Sequence, residues 1–243
     1  MKIGRSFRFI FRSPKAWSKL IRGGLFSALF FTVFFAFVVL GYLMRLMCDL
    51  LEGRETKLPD WNPLGELFYD GLQPVLITLA FISPIIVLSV LNLYINSPVI
   101  FILQAFLVII ISGIFPLSLI HFVTARELIA AFNFTVIFAF IRDNFRRVFS
   151  AWLFNMGLGL GTFTIGAVIA LAMAVPISLF TSTKTGAIIG FGFGVVGFSF
   201  AGFITTIISA HFHAQMYRES KPFNDDKEGA IRASIVMPPS LKK

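Results

Sequence analysis

Charge is missing from long stretches of this chain. Residues 24–43, 74–95, 98–123, 150–180 and 185–210 contain no Asp, Glu, Lys or Arg. Charged residues make up 14% of the whole and hydrophobic ones 57%, against about 25% charged in a typical soluble domain. A water-soluble fold is excluded. About 20 apolar residues, each rising about 1.5 Å, cover the hydrocarbon layer, so each of the five stretches is long enough to cross a bilayer. The expected fold is an all-α membrane protein with four to six transmembrane helices plus amphipathic interfacial helices. The same gap argues against ion-coupled chemistry, because ionisable side chains at mid-membrane mark most ion pathways and proton relays.

Cysteine is scarce too. Cys48 is the only one, so no intrachain disulfide forms, and an unmodified thiol is expected. No P-loop or GxSxG motif is present, and no acid–base pair falls in an apolar stretch. No catalytic residue, metal or cofactor is therefore expected, and the chain is read as a non-enzyme. No small-residue cleavage site follows the first apolar stretch, so a cleavable signal peptide is not expected. The histidines are His121, His211 and His213. His211 and His213, two residues apart on a helix, point about 160° from each other. Metal-binding pairs use i, i+3 or i+4. Hydrogen-bonded interfacial histidines are expected, and a three-histidine zinc site only if His121 approached the other two.

What is abundant is positive charge. The net charge is +9, which on a membrane protein reads as topology and contact with anionic headgroups rather than nucleic acid. Residues 1–23 hold seven basic residues and no acidic ones. They read as two short amphipathic helices, the second restarted by Ser13 as N-cap and Pro14 in the first turn. Arg5, Arg8, Arg12, Lys15, Lys19 and Arg22 are the candidate lipid-headgroup residues, with Phe7, Ile10, Phe11, Trp17, Leu20 and Ile21 on the apolar faces. A polytopic membrane domain at 24–220 and a polar tail at 221–243 complete the chain.

Residues 45–72 form an acidic link with net charge −3. Within it Asn62-Pro63 predicts a helix start, and Leu64, Leu67, Phe68 and Leu72 form one stripe of a short surface helix. Residues 126–149 read as a further amphipathic surface helix, its apolar part at 129–141 too short to span comfortably. Pro84, Pro116 and Pro176 are expected to kink their helices.

Glycine is plentiful in the last two apolar stretches. Gly157 and Gly161 have GxxxG spacing, and Thr162, Gly166, Ala170 and Ala174 form a second small ridge. Gly186, Gly190, Gly194 and Gly197 continue the pattern. Such ridges let helix backbones approach closely in lipid, so these two helices are expected to pack on each other or on a partner.

Basic residues collect on the cytoplasmic side of membranes. Five simple crossings from an inside N-terminus would leave 8 basic residues inside and 13 outside. If residues 24–43 enter and leave on one side, 20 lie inside and Lys184 alone outside. A sixth crossing at 129–141 gives 16 and 5. The count favours four true spans in the cell membrane, with both termini cytoplasmic.

Several short motifs occur in a recognisable order. Gly23-Gly24 opens the first stretch, and Gly41-Tyr42 with Arg45 closes it. Leu58-Pro59-Asp60-Trp61-Asn62, Leu67-Phe68 and Asp70-Gly71-Leu72 follow. Further on come Ala131-Phe132-Asn133-Phe134, Ile141-Arg142 and Asn144. Ser209-Ala210-His211, Gln215 and Tyr217-Arg218-Glu219 end the series. Over roughly residues 5–220 the chain resembles a prokaryotic membrane-protein family catalogued as domain of unknown function 4013. It departs from that family's pattern by lacking a proline in the first apolar segment. The resemblance implies a polytopic membrane protein and no activity, ligand or catalytic residue.

Two functions fit these residues. One is a structural or assembly subunit that packs, as a homo- or hetero-oligomer, through its glycine-rich helices. The other is a transporter or binding protein for lipid or an uncharged solute, using amides such as Gln104 and Asn155.

Overall fold

The computed structural model describes residues 3–13, 15–29, 32–54 and 57–220; Pro14 and the expected tail at 221–243 lie outside the described residues. The described chain is helical. α1 is Ile3–Arg12, α2 Ala16–Ala28, α3 Val33–Leu51, α4 Leu64–Ile95 and α5 Pro98–Ala125. A 3-10 turn at Leu128–Phe132 leads to α6 (Phe134–Asp143), α7 (Phe145–Phe180) and α8 (Thr183–Glu219). Five helices are long and apolar enough to cross a membrane: α4, α5, α7, α8 and, over Phe34–Leu51, α3.

Polar residues set most of the boundaries. Asn96 takes the left-handed conformation after α4 (φ 46°). Ser97 caps α5 by accepting from the Val99 amide at 3.3 Å, with Pro98 in the first turn. Ser182 caps α8 by accepting from the Thr185 amide at 3.2 Å. Each cap gives an otherwise orphaned helix amide an acceptor.

The first apolar stretch is not one helix. α2 ends at Ala28 and α3 begins at Val33, with no Gly or Pro between them. Thr32 closes the turn, its amide and its hydroxyl both donating to the Leu29 carbonyl, at 2.9 and 2.7 Å. Such side-chain bonds offer the backbone an alternative to helix. Phe26 stacks on Phe35 across the break, ring centroids 4.9 Å apart.

Three other expectations are corrected. Ser13 is not the cap of α2: its hydroxyl accepts from the Leu58 amide at 3.1 Å, and left-handed Lys15 (φ 56°) precedes the helix. Residues 64–72 are not a separate surface helix but the opening turns of α4. Residues 126–149 are three pieces. Asn133 starts α6 by accepting from the Val136 amide at 3.4 Å, and Asn144 ends it by donating to the Phe140 carbonyl at 3.2 Å. At ten residues, α6 is about 15 Å long and cannot cross.

α1, the end of α8 and several turns converge on one end of the molecule. Ser6 meets His211, the Glu52 carboxylate lies 3.7 Å from Arg126, and Gly53 sits beside the Arg218 guanidinium. Arg142–Arg147 share a cleft with Glu219. Thus α1 and the end of α3 lie on the same side, and α2 and α3 together leave that end and return to it. The turns at 96–97 and 181–182 lie at the far ends of two helical hairpins, α4–α5 and α7–α8.

Burial follows the same division. The core end holds the fully buried Ile10, Leu20, Leu46, Leu50, Leu67, Ile120, Ile137 and Ile207. No residue from 82 to 113 is buried. On α7 beyond Thr162, and on α8 before Ala201, only Gly166, Gly186, Gly190 and Gly194 are. The hairpins touch near Trp152, whose indole N–H donates to Ser112 Oγ at 2.9 Å, with Gly113 alongside. Past that contact each hairpin is two helices thick, with Phe101, Phe106, Phe163 and Phe191 exposed.

Candidate functional site

The motif residues assemble the core end. Gly23 and Gly24 lie under the rings of Phe203 and Phe200, leaving no room for a Cβ at either position. Gly41 abuts the Leu67 carbonyl and Gly71 the Phe37 carbonyl, so α3 and α4 touch backbone to backbone. Only residues lacking Cβ permit such an approach.

Residues 58–61 cross this end as a strap. Its Leu58 amide is held by Ser13, its Leu58 carbonyl accepts from Lys19 Nζ at 2.6 Å, and the Trp61 indole N–H donates to the Lys19 carbonyl at 3.0 Å. Trp61 stacks on Tyr42 and meets Phe26 edge-on. Phe203 closes the cluster, 5.7 Å from both Tyr42 and Trp61.

Ion pairs neutralise the acidic link. Arg45 forks between Asp70 (2.5 Å) and Glu66 (3.0 Å). Arg54 reaches Asp49 at 2.9 Å and Glu52 at 2.6 Å. Lys19 Nζ lies 2.8 Å from Asp60 and holds its carboxyl below the usual carboxylate range.

The most reactive-looking group is buried. Ser6 Oγ lies 2.9 Å from His211 Nδ1, which also accepts from Gln215 Nε2 at 2.9 Å; Phe9 stacks on the ring. Ser6 and His211 are fully buried and Gln215 nearly so. A serine beside a histidine is a pairing used in nucleophilic chemistry; here both side chains are shut off from solvent. The triad instead fastens α1 to α8. His121 lies 2.7 Å from the Ala130 carbonyl, and His213 lies 2.8 Å from the Ser209 carbonyl. The three rings thus enter three separate networks, and among the described residues no three His, Cys, Asp or Glu cluster to hold a metal.

The candidate glycines divide into two sets. A Cβ on Gly190 would meet Ala174 and the Ala170 carbonyl, one on Gly194 would meet Ala170, and one on Gly186 would meet Ser178. Gly166 lies against Phe198 and Gly197 against Ile169. These five join α7 to α8 within the chain. Gly157 and Gly161 have nothing within 4 Å of a built Cβ and are exposed.

The basic residues divide as well. Arg5, Arg8, Lys15 and Arg22 are exposed, whereas the Lys19 side chain is 13% exposed and bound to the strap. The side chain of Arg12 lies outside the described residues. Trp17, Ile21 and Leu25 form an exposed apolar stripe on α2. Phe9 and Ile10 face protein instead, at 4% and 1% exposure. The buried Ser6 was not singled out from sequence, and Ser13 was read only as a helix cap. Their only signal is spacing, since Ser6, Phe9, Ile10 and Ser13 fall on one face of a helix.

Helical hairpins sheathed in apolar side chains and joined at one end define a multi-pass membrane protein. The chain belongs to the family described as Protein of unknown function (DUF4013), whose model matches residues 24–171. No curated protein and no solved structure matches it.

Proposed function

We propose that the protein is a non-enzymatic assembly subunit of the cell membrane, with both termini cytoplasmic, that packs with a partner membrane protein or a second copy. The supporting observation is the lack of burial between the hairpins. A self-sufficient four-helix bundle would bury a seam along its middle, yet no residue from 82 to 113 is more than partly buried. The partner would not use the ridge at Gly186, Gly190 and Gly194, which is occupied by α7. It would use the outward Gly157–Gly161 face, where two unpacked glycines otherwise cost helix stability, about 0.5–1 kcal/mol each.

The cytoplasmic placement rests on the basic residues, of which Lys184 is the one assigned to the opposite side in the charge count. The exposed cations and the Trp17 stripe of α2 support contact with anionic headgroups.

The solute-binding alternative has less support. Ser209 donates to Asn155 Oδ1 at 2.8 Å, and Gln104 donates to Ser89 at 2.9 Å. These amides already bridge helices of the same hairpin.

Native mass spectrometry after gentle purification tests the proposal. A stoichiometric protein partner, or a defined oligomer, is expected. Gly157→Leu with Gly161→Leu should break that complex without unfolding the chain, because a Cβ at either position has no atom of its own protein within 4 Å. A lone chain, or a complex indifferent to both substitutions, would overturn the proposal.

A further inference from the structure

The break between α6 and α7 opens a cleft of about 760 Å³ at the core end, lined by Arg142, Arg146 and Arg147. These arginines differ from their neighbours. Arg45, Arg54 and Arg126 are engaged by carboxylates, whereas Arg146 and Arg147 have no ion pair among the described residues. Arg142 reaches Asp143 through Nε at 3.0 Å, leaving its outer nitrogens for another acceptor. Asp143 and Glu219 also line the cleft, so its side chains sum to +1. α7, 36 residues long, begins there with no acidic residue in its first turn and no side-chain cap. Its dipole adds to the positive potential.

An apolar strip adjoins the cations. Phe145 and Phe149 stack with ring centroids 5.8 Å apart. Both are exposed, as is Leu153 one turn further. An arginine cluster at the foot of an apolar helix face matches an amphiphile with an anionic head. Arginine is suited to phosphate, presenting paired donors to its oxygens.

We propose that this cleft binds the phosphate headgroup of an anionic membrane lipid, whose acyl chain lies along Phe149 and Leu153. The cations lining the site come from the α6–α7 junction rather than from α1 or α2. The site also does not depend on the chain having a protein partner.

Lipid retention by the full chain tests it. The protein is exchanged into mild detergent, titrated with phosphatidylglycerol or phosphatidylcholine, and read by native mass spectrometry. Preferential retention of phosphatidylglycerol is expected. Arg146→Gln with Arg147→Gln should weaken it about twenty-five-fold, at about fivefold per cation. Lys184→Gln, an exposed cation at the far end of the α7–α8 hairpin, should leave it in place, and the Arg146→Lys/Arg147→Lys variant should retain most of it. An unchanged thermal midpoint in the glutamine variant separates lost binding from lost folding.

Equal retention of both lipids, or retention indifferent to Arg146 and Arg147, would overturn the proposal. Inorganic phosphate that displaces the lipid at equal concentration would reassign the cleft to free phosphate. The tail carries Asp225, Asp226 and Glu228. Retention gained only when these become Asn, Asn and Gln would assign the cleft to the tail instead.

Discussion

The indole of Trp61 lies flat on the ring of Tyr42, centroids 4.0 Å apart and planes 9° apart. One ring comes from the strap and the other from α3, while Phe26 and Phe203 bring in α2 and α8. Four segments distant in sequence meet on one side chain that is 3% exposed. Trp61→Ala should cost about 3–5 kcal/mol, the usual range for emptying a large aromatic site. Trp61→Phe should cost clearly less. Thermal unfolding in detergent would show it, and equal midpoints for both variants would contradict this role.

Backbone contact between α3 and α4 makes a sharper distinction. Gly41→Ala and Gly71→Ala each drive a methyl group into a carbonyl on the facing helix. Both should lower the unfolding midpoint, because packed backbone cannot relax as a side chain can. Gly157→Ala meets open space and should raise it slightly, by about 0.5–1 kcal/mol of helix propensity. Similar responses at all three positions would contradict the observed crossing.

Acid should loosen the strap. The Asp60 carboxyl is held below its unfolded value, about 3.9, by Lys19. Its contribution is therefore complete above that value and lost as pH falls through the lower, folded one. The carboxylate side is 82% exposed, so the loss stays within about 1 kcal/mol. Asp60→Asn should reduce the fall in stability that sets in as pH drops below about 4. Lys19→Met should cost more at neutral pH, since the Leu58 carbonyl also loses its donor.

Sidedness can be read with single cysteines in a Cys48→Ser background. An impermeant maleimide applied to intact cells should label Lys184→Cys and leave Arg126→Cys untouched. Labelling at 126 would reverse the proposed orientation.

Helix existence was largely legible because the apolar runs are long and their punctuation is standard. Asn62-Pro63, read as a helix start, is where α4 begins in the structure. The division of residues 24–43 was not legible, since Thr32 closes it with a hydroxyl rather than a Gly or Pro. Spacing also could not separate Gly157 and Gly161 from Gly190 and Gly194. All four repeat at intervals of four, and only the placement of α7 beside α8 decides which are covered. Ser6, His211 and Gln215 escaped for a related reason. Their meeting depends on a fold-back of about 205 residues, a separation that carries no local pattern.

The Ser112–Trp152 contact acts as the pivot of a pair of tongs. Beyond it the two arms bury no side chain between them among the described residues. The chain's own side chains thus leave the packing between the arms incomplete, to be finished by lipid or by a second protein.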